Sequence, residues 1–260
     1  MPLVRSYEES AVVIAGGSSG VGLASAMGFI DMGVTRLALL SRSEERGIAA
    51  RDLVRQRNPE ATVEFVQVDV DDLEQVTSAV ARAHELLGSI DVLVSSVSSQ
   101  YRPELLHRID PHDIAGILTA QALPPMFLTR AALPIMQEQG GGSIITVASD
   151  AAKVATPGES VLGAAMAAIV MFSRTVAIEA KRNGIRVNAV TPSLIAGTAT
   201  AERVLKDGFS KALFEKAAKL AHLGVAEAED LAGLIVFLGG PASAKITGQA
   251  ISVNGGISAS

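Results

Sequence analysis

Short apolar runs alternate with longer amphipathic segments along the whole chain. The runs are rich in Val, Ile and Leu, which is typical of strands buried on both faces of a sheet. They predict strands at Ala11–Ala15, Arg36–Leu40, Val63–Val68, Asp91–Ser95, Ser143–Ala148, Arg186–Val190 and Ala250–Val253. Apolar residues at helical spacing predict helices at Gly22–Met32, Ser43–Gln56, Leu73–Leu87, Pro111–Gln139, Leu162–Arg182 and Asp230–Leu238. Because strand and helix alternate strictly, we expect right-handed βαβ units and a parallel sheet in one α/β domain, residues 1–260.

The composition permits a large core and narrows the classes of partner. Apolar residues make up 48% of the 260 residues, charged residues make up 19%, and the net charge is −5. This balance, with no run of Lys or Arg, argues against a nucleic-acid partner. The absence of cysteine excludes disulfides and thiolate chemistry. Four scattered histidines without cysteine argue against a metal site.

The sequence shows neither a signal peptide nor a run long enough to span a membrane. Met1–Ser10 lacks the apolar core of a signal peptide. Val161–Phe172, the longest apolar stretch, is too short to cross a bilayer and contains Gly163. We therefore expect a soluble cytoplasmic protein without a membrane partner. Thr191–Lys206, rich in Thr, Ala and Gly, is the least regular segment, and we expect it to form a mobile lid.

A glycine-rich turn follows the first predicted strand, where residues 11–22 read AVVIAGGSSGVG. Glycines let the backbone turn sharply and approach a pyrophosphate, and the next helix offers unpaired N–H groups and a positive dipole end. A nucleotide site is therefore predicted at the turn residues Gly16, Ser18, Ser19, Gly20, Val21 and Gly22.

Ser41 and Arg42 follow the second strand, about 20 residues on, where such folds contact the adenosine ribose. An acidic residue there favours NAD through the 2′-hydroxyl, whereas a guanidinium can pair with a 2′-phosphate. The pair favours NADPH or NADP as the cofactor over NAD. The alternative is that Arg42 is a solvated surface charge.

The chain resembles the short-chain dehydrogenase/reductase family over essentially its whole length, most of all its acyl-carrier-protein-reductase-like members. Ala15, Gly16, Gly20 and Gly22 match the T-G-x3-G-x-G loop with Ala for Thr; GIRVNAVTPSLI (Gly184–Ile195) and ITGQAISVNGG (Ile246–Gly256) match two further motifs. The resemblance implies a single-domain Rossmann fold with a doubly wound, seven-stranded parallel sheet, and a homo-oligomer, dimer or tetramer. It also implies cofactor contacts from Asp69, Val70, Ser95, Ser96, Val97, Pro192, Ser193 and Ile195.

Three of the four positions that carry the family's catalytic Asn, Ser, Tyr and Lys depart from the pattern. Ser149 matches the serine, but Leu162 and Met166 stand at the tyrosine and lysine positions and Ala122 at the asparagine position. The family's N-N-A-G motif is replaced by residues 95–98, SSVS. The apolar helix that follows could wall a hydrophobic substrate pocket, contact a partner subunit, or both.

Several residues could replace the missing proton donor. Tyr7 precedes the first strand, far from the cofactor end, whereas Tyr101 either leans over the site or only packs. Asp150, with Lys153 nearby, either donates a proton or caps a loop. Two other pairs are weaker candidates. Glu159 and Ser160 lie outside the helical register of the family tyrosine, and His107 and His112 are expected at the surface.

Three functions remain open at this point. The preferred one is a divergent NADP(H)-dependent oxidoreductase that reduces a carbonyl or an activated C=C, such as an enoyl thioester, with Ser149 or a backbone N–H stabilising the oxyanion. The second is a non-catalytic NADP-binding sensor or partner subunit. The third is a lyase, isomerase or dehydratase that keeps the cofactor structurally and uses Asp150 as acid or base.

Overall fold

The computed structural model describes residues 4–206 and 208–259; residues 1–3, 207 and 260 of the predicted domain lie outside the described residues. The strands form one sheet, in which every described pair is parallel, in the order β3-β2-β1-β4-β5-β6-β7. Their bounds are β1 Ala11–Ala15, β2 Arg36–Ser41, β3 Thr62–Gln67, β4 Val92–Ser95, β5 Gly142–Val147, β6 Ile185–Pro192 and β7 Ala250–Val253. The predicted doubly wound, seven-stranded sheet is confirmed.

Helices cover both faces of the sheet. They are α1 Gly20–Asp31, α2 Glu44–Arg57, α3 Leu73–Leu87, α4 Asp113–Glu138, α5 Ser160–Ala180, α6 Ala199–Val204, α7 Gly208–Ala218 and α8 Ala228–Gly239. Alternate residues of a strand point to opposite faces. In β1, Val13 therefore packs with α3, α4 and α5, whereas Val12 and Ile14 pack with α1, α2 and α8.

The segment expected to be an irregular lid is largely ordered by hydrogen bonding. Strand β6 continues to Pro192, Ile195 bridges Ala226, and α6 follows. Thr198 caps α6, because its Oγ1 accepts a hydrogen bond from the N–H of Ala201. The sequence expectation missed α6 and α7; the six residues of α6 are too few for a readable period.

Helix α5 is longer than the apolar stretch seen in the sequence. The described chain has one helix with the length and composition of a membrane span, Ser160–Asn183, with a mean hydropathy of 1.9. Half of this segment is buried inside the fold, against α4 and β6. The core helix of a soluble protein passes the same test, so this composition alone is weak evidence for a membrane span.

Candidate functional site

The order of strands places the candidate site at the carboxyl edge of the sheet. Chain connections leave β1 toward β2 on one side and reach β4 on the other, so the turns after β1 and β4 face each other. Ligands of doubly wound sheets bind in the crevice at this switch point. Nearly all the residues predicted for the cofactor lie in the turns around it.

The turn after β1 is so close to its neighbours that only glycine fits at two positions. Gly16 has a φ of +78°, and a Cβ there would overlap the Ser96 carbonyl, lying 2.8 Å from its carbon. A Cβ on Gly22 would lie 2.8 Å from the carbonyl carbon of Gly16. The backbone therefore folds tightly onto itself and onto the turn after β4, which leaves space above it for an anion.

The first turn of α1 keeps its N–H groups available. Ser19 is the N-cap residue, but its side chain makes no capping hydrogen bond within the described structure, and no acidic residue lies in the first turn. The first backbone bond of the helix runs from Leu23 N–H to the Ser19 carbonyl. Gly20, Val21 and Gly22, with Ser18 before them, thus form a cradle whose donors fit a pyrophosphate.

Arg42 at the end of β2 is exposed, but its charge is not isolated. Its carbonyl accepts a hydrogen bond from Gln67, and Ser41 next to it is half-buried. Burial and the neighbouring Asp69 carboxylate raise the pKa of Asp71, whereas Arg42 acts against them. A guanidinium and two carboxylates therefore share the region predicted for the adenosine, with half-buried Val70 between the carboxylates.

The turns after β4 and β6 close the crevice from two sides. Ser96 N–H bonds to the Ala15 carbonyl at 2.9 Å, and the buried hydroxyl of Ser95 has no hydrogen-bond partner among residues 4–206 and 208–259. Across the crevice, Thr198 lies near Gly20, and Ser98 Oγ is 3.4 Å from Thr200 Oγ1. Val97 packs against the core, while Pro192 is buried and Ser193 and Ile195 are half-buried.

Ser149 leaves β5 with its hydroxyl proton available. Its Oγ accepts a hydrogen bond from Ala151 N–H at 3.2 Å, capping the short 3₁₀ turn Asp150–Ala152. No acceptor for its O–H lies among the described residues. A hydroxyl held through its lone pair can still donate to the oxygen of a substrate.

Leu162 and Met166 fill two separate apolar clusters. Leu162, 9% exposed, packs with Ile117 and Val161, and the ring of Tyr101 joins this cluster. Met166 packs with Ala148, Ile169 and other residues behind the Ser149 turn. Ala122 is buried in α4 just before Pro124 and Pro125, which lack the N–H groups of a regular helix.

The two tyrosines differ in their distance from the crevice. Tyr7 lies away from it, because its hydroxyl donates to the Val236 carbonyl at 3.0 Å. Tyr101 packs against Leu162, but its hydroxyl lies over α4, where a Cβ on Gly116 would be 2.7 Å from it. The structure thus brings Tyr101 to the site and turns its hydroxyl toward the helix. His107 and His112 are exposed.

Asp150 anchors the carboxyl-terminal tail. One carboxylate oxygen accepts from Ser252 Oγ at 2.8 Å, and the other accepts from Ser258 Oγ at 2.8 Å and from the Asn254 amide. Lys153 Nζ lies 3.9 Å from the carboxylate and donates to Ser252 Oγ at 2.6 Å. The carboxylate is buried and accepts hydrogen bonds from these donors, so of the two roles left open for Asp150 the structure favours the structural one over proton donation.

Glu159 is the group that sequence reasoning undervalued. It is the N-cap residue of α5, three positions before Leu162, and residues at that spacing lie on the same side of a helix. Burial and the nearby Asp150 carboxylate raise the pKa of Glu159 to about 7. The spacing was readable in the sequence, but the burial depends on residues distant along the chain.

Comparisons with known proteins match this chain, over nearly its full length, to reductases and dehydrogenases. A family model described as "Enoyl-(Acyl carrier protein) reductase" matches residues 15–258. A protein named "Probable galactose dehydrogenase", from Rhizobium meliloti (strain 1021), is 30% identical over 246 residues, 95% of this chain and 94% of its own. A 3-oxoacyl-[acyl-carrier-protein] reductase from Chlamydia pneumoniae is also 30% identical, over 95% of this chain and 96% of its own.

A solved structure matches both the fold and the length. It is the NADPH-bound structure of a short-chain oxidoreductase from Pseudomonas aeruginosa PAO1, described as containing an atypical catalytic center. It is 27% identical with a TM-score of 0.88, and the match covers 99% of this chain and 100% of that one.

Proposed function

We propose a reaction for this chain on the premise that it belongs to the short-chain dehydrogenase/reductase family and is an oxidoreductase of that type. In this proposal it transfers hydride between NADP(H) and a small substrate without a tyrosine–lysine pair. The substrate is a carbonyl or an activated alkene, such as an acyl thioester. One observation carries the proposal. A glycine turn shaped for pyrophosphate follows β1 and Ser149, whose hydroxyl proton is available, follows β5, so both lie at the carboxyl edge of the same parallel sheet. The bound cofactor supplies the hydride.

The choice of NADPH rests on Arg42. An exposed guanidinium at the end of β2 supplies the planar donors that pair with a 2′-phosphate. Asp71 opposes it, since its carboxylate lies close enough to sense the charge of Arg42. We therefore expect a moderate preference for NADPH over NADH, in line with the NADPH held by the Pseudomonas aeruginosa relative.

Ser149 and the apolar residues have separate roles in the proposed reaction. The Ser149 hydroxyl donates a hydrogen bond to the substrate oxygen, where negative charge develops. Leu162 and the ring of Tyr101 exclude water from one side of the substrate. Because no phenol stands at position 162, a carbonyl substrate lacks the family's proton donor, which is worth about 10²–10⁴-fold in rate.

A homo-oligomer forms through α4 and α5 in this proposal. Met171 and Ile178 on the outer face of α5 are 60% and 62% exposed, and their spacing of seven residues places them on one side of the helix. Leu118 of α4 is exposed as well. Light scattering after gel filtration should show a dimer or tetramer that Met171→Glu weakens; a monomer would contradict this part of the proposal.

The test combines binding with turnover. Calorimetry should show tighter binding of NADPH than of NADH, and NADPH absorbance should fall when acetoacetyl- or crotonyl-N-acetylcysteamine is added. Ser149→Ala should slow the reaction while leaving NADPH affinity within about twofold. Failure to bind either cofactor contradicts the proposal, and tight binding without oxidation of NADPH would favour a sensor instead. Loss of turnover in Asp150→Asn, with folding and NADPH binding intact, would revive the lyase alternative.

A further inference from the structure

One stripe of α5 begins at Glu159 and packs against the turn that follows Ser149. Glu159, Leu162, Gly163 and Met166 follow the three-, four- and seven-residue spacing of a single helical stripe. Gly163 packs directly on the turn that follows Ser149, because a Cβ there would lie 3.0 Å from the Ala151 carbonyl oxygen. Glu159 therefore stands one helical turn before the position at which the sequence resemblance sets the family tyrosine.

Three walls of the chamber meet at Glu159. The carbonyl of the preceding residue, Gly158, accepts a hydrogen bond from Glu104 N–H in the turn after β4, at 2.8 Å. The ring of Phe209, on α7, packs over Gly158, where a Cβ would lie 3.1 Å from the ring atom Cδ1. The turn with Asp150 forms the third wall. The start of α5 at Glu159 therefore lies where the turn after β4, helix α7 and the turn after Ser149 come together.

The charges on these walls favour the protonated form of Glu159. Asp150 is the charged group that acts on it, and a second negative charge beside that carboxylate is unfavourable. The Lys153 ammonium on the same turn donates to Ser252 Oγ and to the Ala250 carbonyl. On the other walls, Glu104 pairs with Arg108, and Lys211 with Glu215. No described side chain donates a hydrogen bond to Glu159, so its carboxyl group keeps a transferable proton near neutral pH.

We propose that Glu159 is the proton donor of this oxidoreductase, a catalytic carboxylic acid that replaces the family's tyrosine from one helical turn away. This proposal rests on the proposed function. The substrate carbon gains the hydride that NADPH supplies. In a carbonyl substrate the C=O electron pair moves to the oxygen, which takes the proton of Glu159 and becomes an alcohol. In a conjugated enoyl thioester the C=C pair forms the new bond to the carbonyl carbon as the C=O pair moves to the oxygen; the oxygen takes the proton of Glu159, and solvent converts the resulting enol into the saturated thioester. The O–H bond of the carboxyl group breaks as the new O–H bond forms. Water then returns a proton to the Glu159 carboxylate.

The experiment compares Glu159→Gln with Glu159→Asp and with Glu179→Gln, which changes an exposed glutamate on the same helix. NADPH oxidation is followed with acetoacetyl- and crotonyl-N-acetylcysteamine from pH 5.5 to 9. The wild-type rate should fall as pH rises through about 7. Glu159→Gln should lose at least about 100-fold in kcat with the pH limb absent. Glu159→Asp should be slower than wild type but keep the limb, and Glu179→Gln should match wild type.

A second readout needs neither cofactor nor substrate. The urea midpoint of the wild-type protein should fall between pH 5 and pH 8 more than that of Glu159→Gln. If Glu159→Gln turns over within twofold of wild type with the same pH profile, the assignment of Glu159 is overturned. Equal pH dependence of the two urea midpoints overturns it as well. If wild type oxidises NADPH with neither thioester, the proposed function fails on those substrates, and the urea measurement still decides whether Glu159 holds its proton.

Discussion

Replacing Gly16 by alanine tests the geometry of the turn after β1. Gly16 has a φ of +78°, a conformation that costs a residue with a side chain about 1–2 kcal/mol. The new Cβ would also overlap the Ser96 carbonyl, and backbone cannot move aside as a flexible side chain can. Crowding of this kind costs about 1–3 kcal/mol. We expect Gly16→Ala to lower the free energy of unfolding by about 2–5 kcal/mol.

Gly140→Ala is the matched control, because Gly140 has a φ of +81° and no atom lies within 4 Å of the position that its Cβ would take. It should cost only the conformational part, about 1–2 kcal/mol. Urea unfolding without cofactor, at one protein concentration, measures both variants. Calorimetry should show NADPH affinity reduced about tenfold or more in Gly16→Ala, as expected for one lost charge-assisted hydrogen bond. Equal stability losses in the two variants, with unchanged NADPH affinity, would refute the described packing.

Three further changes test other contacts. Arg42→Ala should weaken NADPH binding about tenfold or more and leave NADH binding nearly unchanged, as measured by calorimetry; equal losses for both cofactors would contradict a 2′-phosphate contact. Asp150→Ala should lower the free energy of unfolding by about 3–5 kcal/mol and expose the tail to carboxypeptidase, because it removes the carboxylate that accepts from Ser252, Asn254 and Ser258 and that neutralises the nearby Lys153 charge; a tail as resistant as in wild type would contradict the anchor. Glu159 has a pKa of about 7 in the folded protein against an ordinary 4.5, so the folded state holds its proton more tightly than the unfolded chain. Stability from this group is therefore full below pH 4.5 and is lost as pH rises through about 7, by at most about 3 kcal/mol; urea unfolding of Glu159→Gln should lack that loss.

The sheet could be predicted from the sequence because most strands are nearly continuous apolar runs between turn residues. The glycine turn after β1 was equally readable, since its residues are adjacent in the chain. The observed strand ends differ from the predicted ones by one or two residues. Strand β6, for example, continues to Pro192 through residues without an apolar pattern. These features depend on local sequence, which is why the sequence predicted them.

The side-chain partners in the site depend on contacts that no local pattern encodes. Asp150 meets Ser252, Asn254 and Ser258 across separations of 102, 104 and 108 residues, so its role as an anchor could not be read from its neighbours. Tyr101 likewise packs against Leu162, a residue distant from it along the chain. The packing of Phe209 over Gly158, next to Glu159, likewise involves α7, a helix that the sequence expectation missed.

The anchoring of Asp150 by the tail bears on how the chain matures after synthesis. A ribosome releases β5 and Asp150 about a hundred residues before it adds the three side chains that bond to them. Until then, the carboxylate lacks the three donors that it has in the folded protein, and withdrawing it from water without them is costly. We therefore expect the Ser149 turn to become fixed only after Ser252, Asn254 and Ser258 have been made, so that chains stopping before Ser252 should lack an ordered turn there.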